Sequence, residues 1–363
     1  MKTILILLLL VNCLYAYANF LSFMDYMILY NKTYKSSELI NRYNIYIENT
    51  NTIQYLNSVS KYSVYKSNKF SDLSYDEFKR LSGALEPEPK YVTKSTITNI
   101  DYTNISDSID WRERGYVTRI KNQGTCGVCY IFSAISNFET QFAIKYSKLY
   151  TFSEQEVLDC YSGATCDGGY ISDVFNFLSI DGSCYLTDYS NTYGGLPYYG
   201  YKRDCKDKKC VKIAKTEGYD NGNGELFILS LLQKGSASVY INSDLLRSYS
   251  SGIISEPCNT SVDHAVVIVG YGTYNYTGKN IKYWIARNSW GDDWGENGYF
   301  RIIRGENECG IEKYALQSKV VKLSDLTPSK SIFMILTITL ACLSFVLILV
   351  LLILCIKKYR SNN

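Results

Sequence analysis

The chain has 363 residues, of which 46% are apolar, and its formal net charge at pH 7 is +3. The apolar content excludes a disordered chain, and the length is enough for a sizeable core and for two domains. A net charge this small and dispersed does not indicate nucleic-acid binding, so we expect no nucleic-acid partner.

The N-terminus has the three parts of a secretory signal peptide. Lys2 precedes an apolar run at 4–11, and Ala-Tyr-Ala at 16–18 follows as a cleavage site. We therefore predict a signal peptide over residues 1–18, with cleavage before Asn19. A signal anchor is the alternative, but eight apolar residues are too few to span a bilayer.

The C-terminal region contains a long apolar stretch. Residues 331–356 are 26 residues without a charged side chain, and basic residues follow at 357, 358 and 360. This pattern predicts a transmembrane helix that contacts the lipid bilayer, followed by a cytosolic tail at 357–363. With a cleaved signal, residues 19–330 would be lumenal or extracellular. A buried core helix and a GPI signal are the alternatives.

The cysteine count also fits a secreted domain. Of twelve cysteines, Cys13 lies in the expected signal peptide, and Cys342 and Cys355 lie in the expected span. The remaining nine would enter an oxidising compartment, where an odd number leaves one thiol unpaired. Four Asn-x-Ser/Thr sequons are compatible with surface glycosylation, at Asn31, Asn104, Asn259 and Asn275.

Hydrophobic periodicity predicts helices early in the chain and strands late. The predicted helices are at 19–57 (clearest at 38–57), around 75–81, from Cys129 onward, from about 153, at 171–179 and at 225–233. Ser153 and Glu156 resemble a capping box. Residues 85–108 read as a linker and 181–224 as loop. The predicted strands are 237–241, 265–269, 283–286 and 299–303. This order indicates an α+β fold with a helical half and a β half.

Cys126 and Cys129 stand three positions apart at the start of a predicted helix. A cysteine in the first turn of a helix is close to backbone N–H groups that stabilise its thiolate, which makes it a candidate nucleophile. The alternatives for Cys-x-x-Cys are a redox motif, half of a zinc site or a structural pair.

His264 is the only histidine of the chain, and it begins an apolar strand. Asn288 follows the next predicted strand. If the two strands are adjacent, the Asn288 side-chain oxygen can accept a hydrogen bond from one ring nitrogen and select the tautomer. A thiol opposite the other nitrogen would complete a Cys-His-Asn arrangement. A histidine without any catalytic role is the default alternative.

Several motifs together resemble the papain-like cysteine proteases of the cathepsin L type, over about residues 20–320. The sequence at 123–133, Gln-Gly-Thr-Cys-Gly-Val-Cys-Tyr-Ile-Phe-Ser, resembles the nucleophile motif. Asp-His-Ala-Val at 263–266 and Arg-Asn-Ser-Trp-Gly at 287–291 resemble the histidine and asparagine motifs. Two upstream motifs resemble the inhibitory propeptide: Glu38, Arg42, Tyr46, Asn49, Ile53 and Asn57, then Asn68, Phe70 and Asp72. Residues that depart from the family pattern are Tyr46, Lys66, Val128 and Tyr130.

The resemblance implies a two-lobed α+β fold, with a helical left lobe, an antiparallel β-barrel-like right lobe and the active-site cleft between them. It implies that Cys129 is the nucleophile, that His264 is its partner and that Asn288 orients His264. A thiolate–imidazolium pair is the expected resting state. The backbone N–H of Cys129 and the side-chain amide of Gln123 would hold the oxyanion. Trp290 would shield the hydrogen bond between His264 and Asn288 from water.

The resemblance also implies substrate contacts and disulfides. The substrate-binding residues would be Gly168, Gly169, Tyr170, Ile171, Ala265 and Trp290. Tyr240 and Tyr314 are further candidates for the pocket that binds the second residue before the cleaved bond, unless they merely reflect a Tyr-rich chain. The implied disulfides are Cys126–Cys166, Cys160–Cys205 and Cys258–Cys309, with Cys184 and Cys210 left for a fourth bridge and Cys129 free. No metal or cofactor is implied.

These inferences give a domain plan: signal peptide 1–18, propeptide 19–105, peptidase domain 106–320, stalk 321–330, transmembrane helix 331–356 and tail 357–363. The leading hypothesis is a cysteine endopeptidase zymogen tethered to a membrane of the secretory pathway, in a lysosome-like vesicle or at the cell surface. Its partners would be polypeptide substrates and its own propeptide. A catalytically silent homologue that acts as a surface-anchored binding protein is the alternative, and a redox protein is a third possibility.

Overall fold

The computed structural model describes residues 2–87, 105–191, 197–205, 210–326 and 344. Its helices include the predicted ones around 38–57, 129, 153, 171 and 225. In chain order they are α1 (Lys2–Leu29), α2 (Ser36–Val59), α3 (Tyr75–Lys79), α4 (Cys129–Tyr146), α5 (Glu154–Cys160), α6 (Ile171–Ile180), α7 (Leu186–Asn191), α8 (Glu225–Leu232) and α9 (Leu323–Leu326).

The strands form one large sheet in which most neighbours are antiparallel. They are β1 (Ser63–Tyr65), β2 (Ile109–Asp110), β3 (Ser183–Cys184), β4 (Lys212–Gly222), β5 (Ala237–Ile241), β6 (Tyr249–Ile254), β7 (His264–Tyr276), β8 (Lys279–Arg287), β9 (Tyr299–Ile303) and β10 (Ala315–Lys322). Their order is β1-β6-β9-β8-β7-β5-β10-β4-β3, and β2 pairs with β7. Only β6 and β9 are recorded as a parallel pair among the described strands. The fold is therefore α+β, as predicted.

The helical lobe is built around α4. This helix is buried along most of its length, and its aromatic side chains pack against the start of α5, where Phe138 and Phe152 lie 4.9 Å apart between ring centroids. Ser153 caps α5 by accepting from the backbone N–H of Glu156 at 3.1 Å. The Glu156 carboxylate instead accepts from Ser183 and from the backbone N–H of Cys184. Only half of the predicted capping box is therefore formed.

The β lobe has its own core on the face of the central strands. Trp284 of β8 and Phe300 and Ile302 of β9 are fully buried there. Strand β7 begins as a continuous apolar run because it lies in the middle of the sheet and is covered on both faces. Strands β7 and β8 then extend as a long hairpin, with Tyr276 opposite Lys279 at the tip. The two lobes therefore have separate hydrophobic cores.

The prediction of loop for residues 181–224 is wrong in part. This region contains β3, α7 and the long strand β4. The β4 sequence carries lysines, an acidic pair and two glycines, and its burial does not alternate regularly. Its extended conformation results from pairing with neighbouring strands, which a local pattern does not reveal.

Residues 19–87 pack onto the β lobe and extend its sheet. Helices α1 and α2 meet in an aromatic cluster around Phe23, Tyr26 and Tyr46. One face of α2 binds the chain that follows it: the Arg42 guanidinium pairs with Glu77 at 2.6 Å, and the Asn49 amide donates to the backbone carbonyls of 71 and 73. Strand β1 then pairs with β6 at the sheet edge.

Asp72 lies at the centre of a buried polar cluster in this N-terminal region. Its carboxylate accepts hydrogen bonds from the hydroxyls of Tyr26 and Tyr34, each at 2.6 Å, and from the ammonium of Lys32 at 2.9 Å. A buried carboxylate with this many donors is stabilised in its charged form. The second propeptide-like motif thus holds the turn between β1 and α3 against α1.

The chain divides into two compact units, residues 1–320 and 321–363. In the second unit the structure describes residues 321–326, which contain α9, and residue 344. The expected span at 331–356 therefore lies outside the described residues apart from Ser344. Within the described part of the chain, no helix combines the length and apolar character that crossing a membrane requires. The expected cleavage site before Asn19 falls inside α1, which continues through it.

Candidate active site

Cys129 is the first residue of α4 and is completely buried. Among the cysteines that the structure describes between residues 105 and 326, it is the only unpaired one. Three residues earlier, Cys126 is bridged to Cys166, so the chain entering the helix is anchored. The two cysteines of the Cys-x-x-Cys motif therefore differ in state: one is in a disulfide and the other is a thiol.

Four disulfides are present in the described part of the chain. They are Cys126–Cys166, Cys160–Cys205, Cys184–Cys210 and Cys258–Cys309. These are the four pairs named above, including the fourth bridge. Two groups of Cys and Glu lie close enough to share an ion, but the cysteines of both groups are in disulfides and have no thiolate to offer.

His264 and Asn288 come together because β7 and β8 are paired. His264 begins β7 opposite Ile241 of β5, and Asn288 directly follows β8. The His264 Nε2 atom lies 2.9 Å from the Asn288 Oδ1 atom, which also accepts from the Ser289 backbone N–H. Since Oδ1 can only accept, Nε2 carries the proton. The other ring nitrogen, Nδ1, is buried without a hydrogen-bond partner among the described residues.

Trp290 covers the imidazole of His264. The two rings stack with centroids 4.7 Å apart and planes 28° from parallel, and Trp290 is buried. On its other sides Trp290 meets Phe70 and Phe78 of the N-terminal region edge-on, at 5.3 and 5.4 Å. Trp290 therefore lies between the His264 ring and the two phenylalanines of the N-terminal region.

Burial sets the protonation states of both groups in this closed site. Loss of solvent raises the pKa of the Cys129 thiol to about 12, against backbone N–H groups that favour the thiolate. Burial likewise lowers the pKa of His264 to about 4, although the hydrogen bond with Asn288 opposes this shift. Both groups are therefore neutral near pH 7 in this structure, so the closed site does not hold the expected thiolate–imidazolium pair.

Gln123 is completely buried, and both atoms of its side-chain amide are hydrogen-bonded. Its Nε2 atom donates to the carbonyl of Cys126 at 3.0 Å and to that of Leu81 at 2.8 Å. Its Oε1 atom accepts from the Ser289 hydroxyl at 2.6 Å, which fixes the orientation of the amide. A backbone carbonyl of the N-terminal region thus occupies the donor that is expected to bind an oxyanion.

Residues 81–85 form a segment that crosses the site, here called the strap. The Gly83 N–H donates to the Cys129 Sγ atom at 3.2 Å. Gly83 and Leu85 also pair with the backbone of Gly169, which donates to the Gly83 carbonyl at 2.9 Å and accepts from the Leu85 N–H at 3.1 Å. A Cβ at position 83 would lie 1.6 Å from the Gly127 carbonyl oxygen, so only glycine fits there.

Two further contacts hold the strap in place. The Lys79 ammonium, just before it, pairs with Asp244 at 2.6 Å and with Asp263, the residue that precedes His264. The Ala84 N–H donates to the Asp263 carbonyl at 3.0 Å. The strap is therefore tied to both walls of the cleft.

A cavity of about 390 Å³ opens beside this segment, next to Tyr170. Tyr240 and Tyr314 line it, whereas Ile171 and Ala265 are buried and do not. Tyr240 is held by a hydrogen bond from the Ile171 N–H to its hydroxyl, at 2.9 Å. Gly168 adopts a φ of +126° at the bend before this wall.

Sequence reasoning did not identify the strap residues Leu81, Gly83 and Leu85 or the role of Ser289. The strap has no hydrophobic period, and its conformation follows from the walls of the cleft. The expected sequons at Asn31, Asn259 and Asn275 are exposed, and Asn104 lies outside the described residues.

Residues 105–319 match the family model of papain family cysteine proteases, and residues 23–78 match that of the cathepsin propeptide inhibitor domain. A viral cathepsin of Adoxophyes honmai nucleopolyhedrovirus is 33% identical over 316 residues, covering 82% of this chain and 90% of the relative. Fruit bromelain of Ananas comosus is 33% identical over 301 residues, covering 80% and 83%.

A solved structure of a recombinant stem bromelain precursor superimposes with a TM-score of 0.74 at 31% identity, covering 83% of this chain and 99% of that one. A procathepsin L 3 from the larval midgut of Tenebrio molitor gives 0.69 at 28% identity, with coverage of 83% and 99%. Both are precursor forms, like the closed arrangement described here. The chain therefore belongs to the papain family of cysteine proteases and carries a propeptide of the cathepsin inhibitor type.

Proposed function

We propose that this chain is a cysteine endopeptidase, made as a zymogen, that works through Cys129, His264 and Asn288. The observation that carries the proposal is the 2.9 Å hydrogen bond between His264 Nε2 and Asn288 Oδ1, in a site where Cys129 is a buried free thiol close to the backbone of Ala265, the residue after His264. That bond leaves Nδ1 with a free lone pair, which is what a general base requires.

The proposed reaction has two stages. Cys129 Sγ, having transferred its proton to His264, attacks the scissile carbonyl and forms a tetrahedral oxyanion. The Cys129 N–H and the Gln123 amide stabilise this oxyanion. His264 then donates the proton to the departing amine, which leaves a thioester on Cys129. Next, His264 removes a proton from water, the hydroxide cleaves the thioester, and the thiol is regenerated.

The proposed inhibition follows from the strap. While Gly83 is bonded to Cys129 and the Leu81 carbonyl is bonded to Gln123, neither the nucleophile nor the oxyanion donor is available. Cleavage at 95–108 and departure of residues 19–87 would release both groups at once. Gly168 and Gly169 would then pair with extended substrate backbone in place of the strap.

One experiment tests this function. The activated protein is treated with a thiol-directed epoxide, the modified residue is located by mass spectrometry, and peptide cleavage is measured in parallel. We expect stoichiometric labelling at Cys129 with loss of cleavage, and slow labelling of the unprocessed chain. Absence of both labelling and cleavage in the processed chain would favour the alternative, a silent homologue that serves as a binding protein.

We also propose that the peptidase is a type I membrane protein of the secretory pathway, in a lysosome-like vesicle or at the cell surface. The proposal rests on the signal-like residues 1–18 and on the uncharged run at 331–356 with basic residues after it. We expect the full chain to stay with membranes after alkaline carbonate extraction and a chain ending at residue 330 to be released. Release of both chains would contradict the anchor. Glycosidase treatment tests the sequons.

A further inference from the structure

The cavity beside Tyr170 is lined by both aromatic and polar side chains. Among the described residues, its walls are rich in tyrosine and include one charged side chain, Asp173 of α6. The tyrosines are Tyr170, Tyr219, Tyr240 and Tyr314. The remaining polar lining comes from neutral side chains, Ser172, Asn176 and Asn221. The cavity is thus aromatic on its walls and anionic at one point.

Asp173 lacks a cationic partner in the part of the chain that the structure describes. Its only recorded hydrogen bond is a long one, 3.4 Å, from the Tyr161 hydroxyl to Oδ2. Partial burial raises the pKa of this carboxyl, because the charged form is poorly solvated and the Tyr161 bond compensates only in part. A cation that enters the cavity would stabilise the charged form of this carboxylate.

The cavity is also placed to receive a substrate side chain. Its Tyr170 directly follows Gly169, whose backbone already pairs with the extended strap. The strap leaves the cavity unfilled: the Leu85 side chain is 44% exposed, and Pro87 stands at the lining. Both residues belong to the propeptide and leave when it is removed. A substrate that pairs with Gly169 would direct one side chain into this space.

We infer that Asp173 makes this cavity selective for a cationic side chain, Arg or Lys, two residues before the cleaved bond. This inference rests on the proposed endopeptidase function. The guanidinium of Arg matches the lining best, because it stacks on aromatic rings and binds a carboxylate through two parallel hydrogen bonds. The volume of about 390 Å³ is within the range of about 300–1,000 Å³ of small-ligand pockets.

Lys313 is a cationic residue that directly precedes Tyr314 of the cavity wall. It pairs with Glu86 of the propeptide, but it does not line the cavity. Its side chain is partly exposed, so after activation its repulsion of an incoming cation is screened by solvent. Among the described residues that line the cavity, Asp173 therefore carries the only charge.

The test compares two fluorogenic dipeptide substrates, Arg-Arg and Leu-Arg, which differ only in the second residue before the cleaved bond. The enzymes are the activated wild type, Asp173→Asn and the control Asp181→Asn, which removes an exposed carboxylate just after α6. The concentration of active enzyme is titrated with the epoxide, so that differences in the folded fraction do not affect kcat/KM. For Asp173→Asn we expect kcat/KM on Arg-Arg to fall about 10–100-fold, with Leu-Arg nearly unchanged. Asp181→Asn should behave as wild type.

Two results would overturn the inference in different ways. If Asp173→Asn leaves the ratio between the two substrates unchanged, the carboxylate does not select the side chain, although the enzyme remains a peptidase. If the wild type neither cleaves either substrate nor reacts with the epoxide, the proposed function itself fails and the inference fails with it. Asp173→Glu provides a second variant, in which retention of the Arg-Arg preference supports a charge-based mechanism.

Discussion

The backbone N–H of Gly83 donates a hydrogen bond to the Sγ atom of Cys129 at 3.2 Å, so the inhibitory region touches the candidate nucleophile itself. The same residue accepts from the Gly169 N–H and packs against Gly127 so closely that no side chain fits. The backbone of the strap, and not a distant contact, therefore covers the thiol.

Replacing Gly83 should open the zymogen. In Gly83→Val the new Cβ would meet the Gly127 carbonyl oxygen at 1.6 Å, and backbone cannot move aside cheaply. We expect the unprocessed variant to react with the epoxide at least about tenfold faster, which requires only about 1.4 kcal/mol of lost strap binding. Leu85→Ala, which truncates a strap residue that is 44% exposed, is the matched control. Equal labelling rates for Gly83→Val and wild type would show that the strap does not limit access.

Removing the Gln123 amide should slow the reaction without abolishing it. For processed Gln123→Ala we expect kcat to fall by about 10²–10³, the typical effect of losing one oxyanion donor, with little change in KM. Asn122→Ala, at the exposed neighbouring position, should keep full activity. Steady-state kinetics with titrated active sites decides the matter. A fully active Gln123→Ala enzyme would refute the oxyanion assignment.

The closed form should lose stability as pH falls from about 6.5 towards 4. Burial lowers the pKa of His264 from 6.5 to about 4, so between these values the unfolded chain binds more protons than the folded one. Stability then decreases with decreasing pH, by about 3 kcal/mol at most. Burial raises the pKa of the Cys129 thiol to about 12, so the unfolded chain loses this proton at lower pH than the folded one. This group therefore reduces stability only above about pH 9.

Urea unfolding in an inert background measures this dependence. We compare Cys129→Ala with Cys129→Ala/His264→Gln, which lacks the titrating imidazole, at pH 7 and pH 4.5. The single variant should lose more stability than the double variant. Glu77, whose pKa the hydrogen bond from Arg42 lowers to about 2, contributes in both variants and only below about pH 4.5. Identical losses in the two variants would remove His264 from the explanation.

The bridge between Cys184 and Cys210 should stabilise the helical lobe. It closes a loop of 26 residues in sequence, for which chain-entropy arguments give about 3 kcal/mol. We expect Cys184→Ser/Cys210→Ser to unfold at lower urea and, once activated, to retain most of its activity, because the Cys184 Sγ atom lies against Glu156 of α5, which is not one of the candidate catalytic residues. Unfolding at the wild-type midpoint would contradict this prediction.

Much of the secondary structure could be predicted because its periodicity is local. Helices α4, α6 and α8 begin at the predicted residues, and strands β5 and β9 have the predicted bounds. Short or polar strands such as β1 and β4 were not predicted, because they are extended only where a partner strand supplies hydrogen bonds. Residues 82–84 of the strap lie between the predicted helix around 75–81 and the predicted linker at 85–108, where no local pattern marks them, although Gly83 and Leu85 pair with Gly169.

In the candidate site, too, some residues could be predicted from local motifs and others depend on contacts formed by folding. Cys129, His264 and Asn288 were named from motifs, and the pairing of adjacent strands was enough to predict the contact between His264 and Asn288. The motifs predicted a propeptide over residues 19–105, but not which of its residues cross the cleft. Its contacts with Gln123 and Cys129 depend on backbone geometry, which residue types alone do not specify.

The sequence by itself determined the chemical inventory of this protein: one histidine, an odd number of cysteines outside the terminal apolar runs, and motifs that resemble one family. Only the tertiary structure decided that Cys129 and His264 are both neutral in the closed form. It also decided that the Leu81 carbonyl accepts the hydrogen bond of the Gln123 amide, and that Asp173 lines a tyrosine-walled cavity. The reason is physical: charge states and binding preferences depend on solvent access and on partners within a few ångströms, and folding brings those partners from distant parts of the chain.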